Sequence, residues 1–203
     1  MTPGAFFREP RQLALLVSAV LPELAGGRRG RRELRLWSAG CGAGEDAWSL
    51  AMTVEEARLP AELAVEIVAT DGDPAALSRA AAAVYDDQAM KRVDAERRRR
   101  HFVRGVGSRR GLWRVIAPLR DRVELYALDL ADPWPASPPF DAVFCHAPET
   151  RDASGAGRLA RRFAEVLAPG GALFLGGSPA VPAAITGLAP WRPGVYRKRN
   201  GVG

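Results

Sequence analysis

Three glycines at alternating positions, Gly40, Gly42 and Gly44, are followed at once by two acids, Glu45 and Asp46. Glycine lets a backbone turn sharply and approach a ligand with no Cβ in the way. A helix that starts directly after such a loop presents its free N–H groups to whatever the loop holds. Twenty-seven residues past Gly44 stands Asp71, whose carboxylate can accept both hydroxyls of a ribose. Each glycine alone is explained by a plain strand-to-helix turn. The loop and the acid together point to a nucleoside-containing cofactor.

Two such cofactors compete. The dinucleotide fingerprint is matched only locally, as Gly42-Ala43-Gly44-Glu45-Asp46-Ala47, and two acids at the helix start would repel a pyrophosphate. S-adenosylmethionine has no phosphate. It brings an amino group and a sulfonium cation, which an acid such as Glu45 attracts.

Strand ends must position these residues. Leu34–Ser38 alternates and is expected as a first strand, Glu45–Arg58 as a helix stopped by Pro60, and Leu63–Ala69 as a β-branched second strand. Asp73-Pro74 is a cap-and-start signal for a helix running through Ala80–Ala83. Arg122–Leu128, Phe140–Cys145 and Ala172–Leu175 are expected as further strands, Leu159–Leu167 as a helix, and the tail through Trp191 and Tyr196 as two short strands. Residues 10–22 are expected as an amphipathic helix ended at Gly26-Gly27, and residues 86–101 as charged and helical. Phe102–Arg104 and Leu112–Ile116, around a glycine-rich turn, form a hairpin pattern.

Alternating strands and helices imply an α/β fold. The expectation is one domain over 1–203: a doubly wound, mostly parallel, Rossmann-like sheet, with a small antiparallel hairpin subdomain inserted near 102–117. Ligands of such sheets lie beyond the carboxyl ends of the strands. There the sequence places the glycine loop, Asp71, Asp129 with Leu130, His146-Ala147-Pro148-Glu149, and Gly176-Gly177-Ser178.

The 203 residues suit one ordinary domain, and 47% hydrophobic content can build a core. Two cysteines and two histidines, unclustered, exclude a disulfide-framed module and a zinc finger, so no metal site is expected. The net charge is +6, and of 29 basic residues only Lys91 and Lys198 are lysine. That balance raises nucleic acid as a partner. The arginines, however, run from Arg8 to Arg199 with no recognition motif beside them, and no nucleic-acid partner is expected. The run Arg97–Arg100 is either a solvated helix face or a site for an acidic partner. The start lacks a signal-peptide pattern, and Leu13–Leu24, broken by Pro22 and Glu23, is too short to span a bilayer. A cytoplasmic monomer with free thiols and no transmembrane segment is expected.

At Phe6-Phe7-Arg8-Glu9, Leu36-Trp37-Ser38-Ala39-Gly40-Cys41-Gly42-Ala43-Gly44-Glu45, Ser49-Leu50-Ala51-Met52-Thr53 and Ala69-Thr70-Asp71-Gly72-Asp73 the chain resembles the CheR-type chemotaxis methyltransferases. The likeness continues through Phe102-Val103-Arg104-Gly105, Leu112-Trp113-Arg114-Val115, Phe140-Asp141-Ala142-Val143-Phe144-Cys145 and Pro169-Gly170-Gly171. The resemblance implies a class I methyltransferase that moves a methyl from S-adenosylmethionine to a glutamate carboxylate of a chemoreceptor cytoplasmic domain, leaving S-adenosylhomocysteine. It implies Arg8 near the methyl-donor end as the catalytic residue, Glu45 on the methionine amino group and Asp71 on the ribose. Asp129 stands where the family usually has an asparagine beside the adenine. Ala39 and Gly40 line the cofactor through backbone, and Gly42, Gly44, Leu130 and His146 complete the cofactor-lining set. The hairpin resembles the small β-subdomain that docks on receptors in some members. The family carries a helical domain ahead of its phenylalanine-arginine motif, and this chain begins at that motif. After the fourth strand the family continues cysteine, arginine, asparagine and later tyrosine; here Ala147 takes the asparagine position and Arg151 the tyrosine position.

A carboxylate is already ionised at neutral pH, so its methylation needs no general base. His146 stands where a base would act on another acceptor, or it simply fills a loop. Two other readings remain open: a non-catalytic module that binds the cofactor or its product and regulates a partner, and a methyltransferase for small molecules or nucleic acid. The second lacks an Asn-Pro-Pro-Tyr-like segment after strand four.

Overall fold

Short side chains, caps and β-branched runs divide the chain into alternating elements. The computed structural model describes residues 4–27, 33–147, 152–177, 179–181 and 187–199. Pro10, whose fixed φ suits a first helical turn, opens α1 (Pro10–Leu15); a π turn over Leu16–Val20 leads into α2 (Leu21–Gly27). β1 (Glu33–Ala39) passes through the glycine loop to α3 (Glu45–Glu56), then β2 (Ala64–Asp71). Asp73 caps α4 (Pro74–Ala82) by accepting from the Ala75 N–H at 2.9 Å. β3 (Val84–Asp86), α5 (Ala95–His101), β4 (Phe102–Arg104) and β5 (Leu112–Val115) follow. After α6 (Ala117–Arg120) come β6 (Val123–Ala127), β7 (Phe140–Cys145), α7 (Ala153–Val166), β8 (Leu167–Leu175), β9 (Leu188–Arg192) and β10 (Val195–Lys198).

Among the described residues seven strands form one sheet in the order β6-β2-β1-β7-β8-β10-β9, parallel except where β10 runs antiparallel between β8 and β9. β1 lies at the centre. The chain winds outward from it through β2 and β6, then restarts at β7 on its other side. Strand direction of winding therefore reverses between β1 and β7, the position at which open α/β sheets hold their ligands. The expected doubly wound sheet is thus present. Its two faces carry separate cores: Leu36, Ile67 and Phe144 pack with α2 and α3 on one face, and Trp37, Val143 and Leu173 pack with α7 on the other.

The inserted antiparallel element is larger than a hairpin. Val84–Asp86 pairs with β5, which also pairs with β4, so a three-stranded sheet β3-β5-β4 forms. Three residues directly after a helix give no alternating pattern long enough to be read as a strand. Its buried Tyr85, edge-on to Phe6 at 4.8 Å, ties this small sheet to the body of the domain. The first helix passes residue 22 and runs to Gly27. The helix expected from Leu159 begins at Ala153, because Asp152 caps it by accepting from the Gly155 N–H at 2.8 Å. The connection from β6 to β7 holds no helix among its residues, four prolines being spread over 133–139; Trp134 covers the sheet there, 4.9 Å from the Trp37 ring and under Arg162.

Candidate functional site

The residues nominated by the sequence gather at the carboxyl end of the central strands. β1 closes on the buried Ala39, and the chain turns through Gly40 (φ +69°), Gly42 (φ +58°) and Gly44 (φ +98°), values that disfavour any residue with a Cβ. The Cys41 N–H donates to the Thr70 carbonyl at 2.9 Å, which ties the loop to the end of β2. A Cβ on Gly40 would come 3.0 Å from that of Ala147, and one on Gly44 would come 2.7 Å from Trp48 Nε1 and 2.9 Å from the Tyr85 hydroxyl. Gly42 differs, since a Cβ there would meet nothing within 4 Å. The loop is packed from below at Gly40 and Gly44 and open at Gly42.

Asp71 ends β2. One carboxylate oxygen accepts from the Gly42 N–H at 2.7 Å and the other from the Asp73 N–H at 2.9 Å. Each oxygen retains a second lone pair for a ligand hydroxyl. The bonds that shape the loop therefore also aim the acid. Glu45 opens α3, is 7% exposed, and lies so close against Gly4 that a Cβ there would overlap its carboxyl. Burial pushes the Glu45 carboxyl above its ordinary value, and Asp46 adds to the rise while Arg8 opposes it. Asp129 is exposed beside Gly72 and accepts from the Ala131 N–H at 2.8 Å. Leu130 turns its side chain into the core with Ala39 and Ala147, and its carbonyl accepts from Arg162.

The N-terminal segment closes the site from the α3 side. Phe6 is fully buried, the Phe7 N–H donates to Ser49 Oγ at 2.8 Å, and the Arg97 guanidinium lies 4.3 Å from the Phe7 ring. These anchors hand Arg8 to Asp46, with which it forms an ion pair. His146, directly after β7, places Nδ1 3.4 Å from the same Asp46 oxygen.

Asp46, Ser49 and Tyr85 also lie at this candidate site, and sequence reasoning gave none of them a ligand-binding role. Asp46 was legible only as half of an acidic pair. Ser49 donates to the Glu45 carbonyl at 2.6 Å, a contact its spacing of four permits. Tyr85 donates to the Ala43 carbonyl at 2.7 Å from a strand that no local pattern announces. Burial pushes its phenol far above the ordinary range, so it stays a donor. Cys41 and Cys145 are buried and form no disulfide, and burial pushes the Cys41 thiol up to about 12, too high to supply a thiolate near neutral pH. Pro148, Glu149, Arg151 and Ser178, which the sequence reading also singled out, lie outside the described residues.

The family model of the CheR methyltransferase SAM-binding domain matches residues 3–189. The chain belongs to the CheR methyltransferase family. It is 37% identical over 189 residues to chemotaxis protein methyltransferase 1 of Pseudomonas aeruginosa, covering 87% of this chain and 65% of that protein. It is 34% identical over 176 residues to the chemotaxis protein methyltransferase of Escherichia coli, covering 86% of this chain and 59% of that protein. The CheR-type glycine loop, Asp71 and the phenylalanine-arginine motif thus meet at one edge of the sheet. Among the described residues no helix is long and apolar enough to cross a membrane.

Proposed function

We propose that this CheR-family domain transfers a methyl group from S-adenosylmethionine to a glutamate carboxylate of an acidic protein segment, such as a chemoreceptor cytoplasmic domain. The observation that carries the proposal is the loop open at Gly42 and bonded to Asp71, with the buried acid Glu45 at its far end. A ligand with ribose hydroxyls and a cationic amino group matches that donor and charge set; a pyrophosphate would face Glu45, Asp46 and Asp71.

In this assignment Gly40, Gly42 and Gly44 hold the cofactor by backbone, Ala39 lines it, Glu45 takes the amino group and Asp71 the ribose. Asp129 and the Leu130 backbone lie at the adenine end. S-adenosylmethionine supplies an electrophilic methyl on a sulfonium. Arg8 steers the acceptor carboxylate, its planar fork suiting two oxygens. The protein need not remove a proton, because the carboxylate is ionised. Its work is alignment and exclusion of water, and orientation alone contributes about 7 kcal/mol or more when it is complete.

Calorimetry with S-adenosylmethionine, S-adenosylhomocysteine and NAD tests the cofactor; binding of the first two and not the third is expected. Labelled-methyl transfer to a chemoreceptor cytoplasmic segment, with the label released by mild base, identifies a carboxyl ester. Cofactor binding without transfer to any acidic segment would instead establish the regulatory-module reading.

A further inference from the structure

The Asp46 carboxylate is approached by two side chains, those of Arg8 and His146. Arg8 comes from the N-terminal segment and His146 from the end of β7, and both approach the same carboxylate oxygen. The His146 side chain is 9% exposed, and its Nε2, pressed against Gly176, has no hydrogen-bond partner among the described residues. Buried polar groups are normally paired, so an orphan at a ligand edge calls for an explanation.

Among the described residues, acids outnumber cations around this ring. Asp46 on α3 neutralises Arg8. Glu9 of the N-terminal segment lines the same small cavity as Arg8, Asp46 and His146. Glu45, next to Asp46, also interacts with Arg8 and with Arg79 of α4. From the sheet, Phe144 and Gly176 bring no charge. With a neutral imidazole the described groups at the acceptor end carry more negative than positive charge, which disfavours an incoming carboxylate. The Arg8 Nε has no hydrogen-bond partner among the described residues, so the guanidinium has N–H groups for the acceptor, and an imidazolium at His146 adds positive charge beside it.

We infer that His146 and Asp46 are positioning residues through which protonation of His146 controls binding of an acidic acceptor. This rests on the carboxylate-acceptor reading proposed above. The chemistry sets which kinetic constant responds. In methyl transfer the carboxylate loses its negative charge and the sulfonium its positive charge together. A cation beside the acceptor therefore favours the bound ground state at least as much as the transition state, and its effect falls on KM rather than kcat.

The test uses the protein loaded with S-adenosylhomocysteine and a fluorescent glutamate-rich peptide from a chemoreceptor methylation segment, titrated between about pH 5.5 and 8.5, well above the ordinary glutamate range. Binding should weaken at least about fivefold as pH rises, a discounted value for one partly screened charge. The midpoint should match the titration of the His146 ring followed by NMR, with His101 as the other histidine signal. His146→Gln should bind the peptide weakly and without pH dependence, and Asp46→Asn should change the pH dependence of peptide binding; a cooperative thermal unfolding transition shows that each variant is folded. A flat profile in the natural protein, a midpoint apart from the His146 titration, or no peptide binding at any pH overturns the inference. Methyl transfer to that segment with a KM independent of pH would overturn it and leave the proposed function standing. Absence of transfer at every pH would remove the proposed function itself.

Discussion

The backbone N–H of Gly42 donates to the Asp71 carboxylate at 2.7 Å, joining the loop after β1 to the end of β2. Asp71→Ala should therefore do two things at once. It should leave the Gly42 and Asp73 N–H groups without their charged acceptor, lowering stability by about 1.5–3 kcal/mol. It should also weaken S-adenosylmethionine binding tenfold or more, an amount equal to about 1.4 kcal/mol. Chemical denaturation and calorimetry measure the two effects. Full cofactor affinity in this variant would refute the ribose assignment.

Gly44 and Gly42 share a positive φ but not a packing environment. Gly44→Ala drives a methyl against Trp48, Tyr85 and Ala80 and should cost more than about 2 kcal/mol from strain and overlap. Gly42→Ala meets open space and should cost only about 1–2 kcal/mol of backbone strain. Its larger effect should be on cofactor affinity, because the methyl would occupy the open side of the loop. Thermal unfolding of both variants, alongside calorimetry, separates the two roles.

Cys41 sets a slope on the alkaline side. Its thiol pKa rises on folding from 9.0 to about 12, chiefly through burial. A raised pKa means that the folded state holds the proton longer. The stabilising contribution is thus complete below about pH 9 and is lost as pH climbs toward 12, at about 1.4 kcal/mol per pH unit for one group. Cys41→Ala should flatten unfolding free energy against pH between 9 and 11. An unchanged slope would place the titration elsewhere. At pH 8 the native thiol should resist alkylation that proceeds readily in denaturant.

Glu56 does the reverse on the acid side. Burial opposes its ionisation, yet hydrogen bonds from Arg97 and the buried His101 outweigh burial and hold the carboxyl below its ordinary value. Its contribution is present above the ordinary carboxylate range and is lost as pH falls through the lowered pKa. Glu56→Gln should cost about 1–2 kcal/mol at pH 7 and show a shallower loss of stability on acidification. Equal acid slopes in the two proteins would show that this cluster does not control acid unfolding.

Local sequence determined the elements that carry their own signals. Asp73-Pro74 announced a helix start and became one, because a cap acts within three residues of itself. The apolar run Phe140–Cys145 announced a strand buried on both faces. Alternating strands and helices fixed the parallel sheet, and that sheet in turn located the ligand edge. The glycine loop, Glu45 and Asp71 were legible because close backbone approach and ribose binding demand those residue types at strand ends.

Tertiary structure alone decided what depends on segments far apart in the chain. β3 is three residues long and is a strand only because β5 supplies its hydrogen-bond partner. Tyr85 reaches Ala43 across 42 residues. Asp46 was one of two acids in sequence and became the carboxylate shared by Arg8 and His146 once the N-terminal segment and the end of β7 converged on α3. Residue type and near-neighbour spacing encode backbone conformation, since its energies are local. Which charges face each other is settled only when the chain packs, because Coulomb and desolvation energies follow distance in space and not separation in sequence.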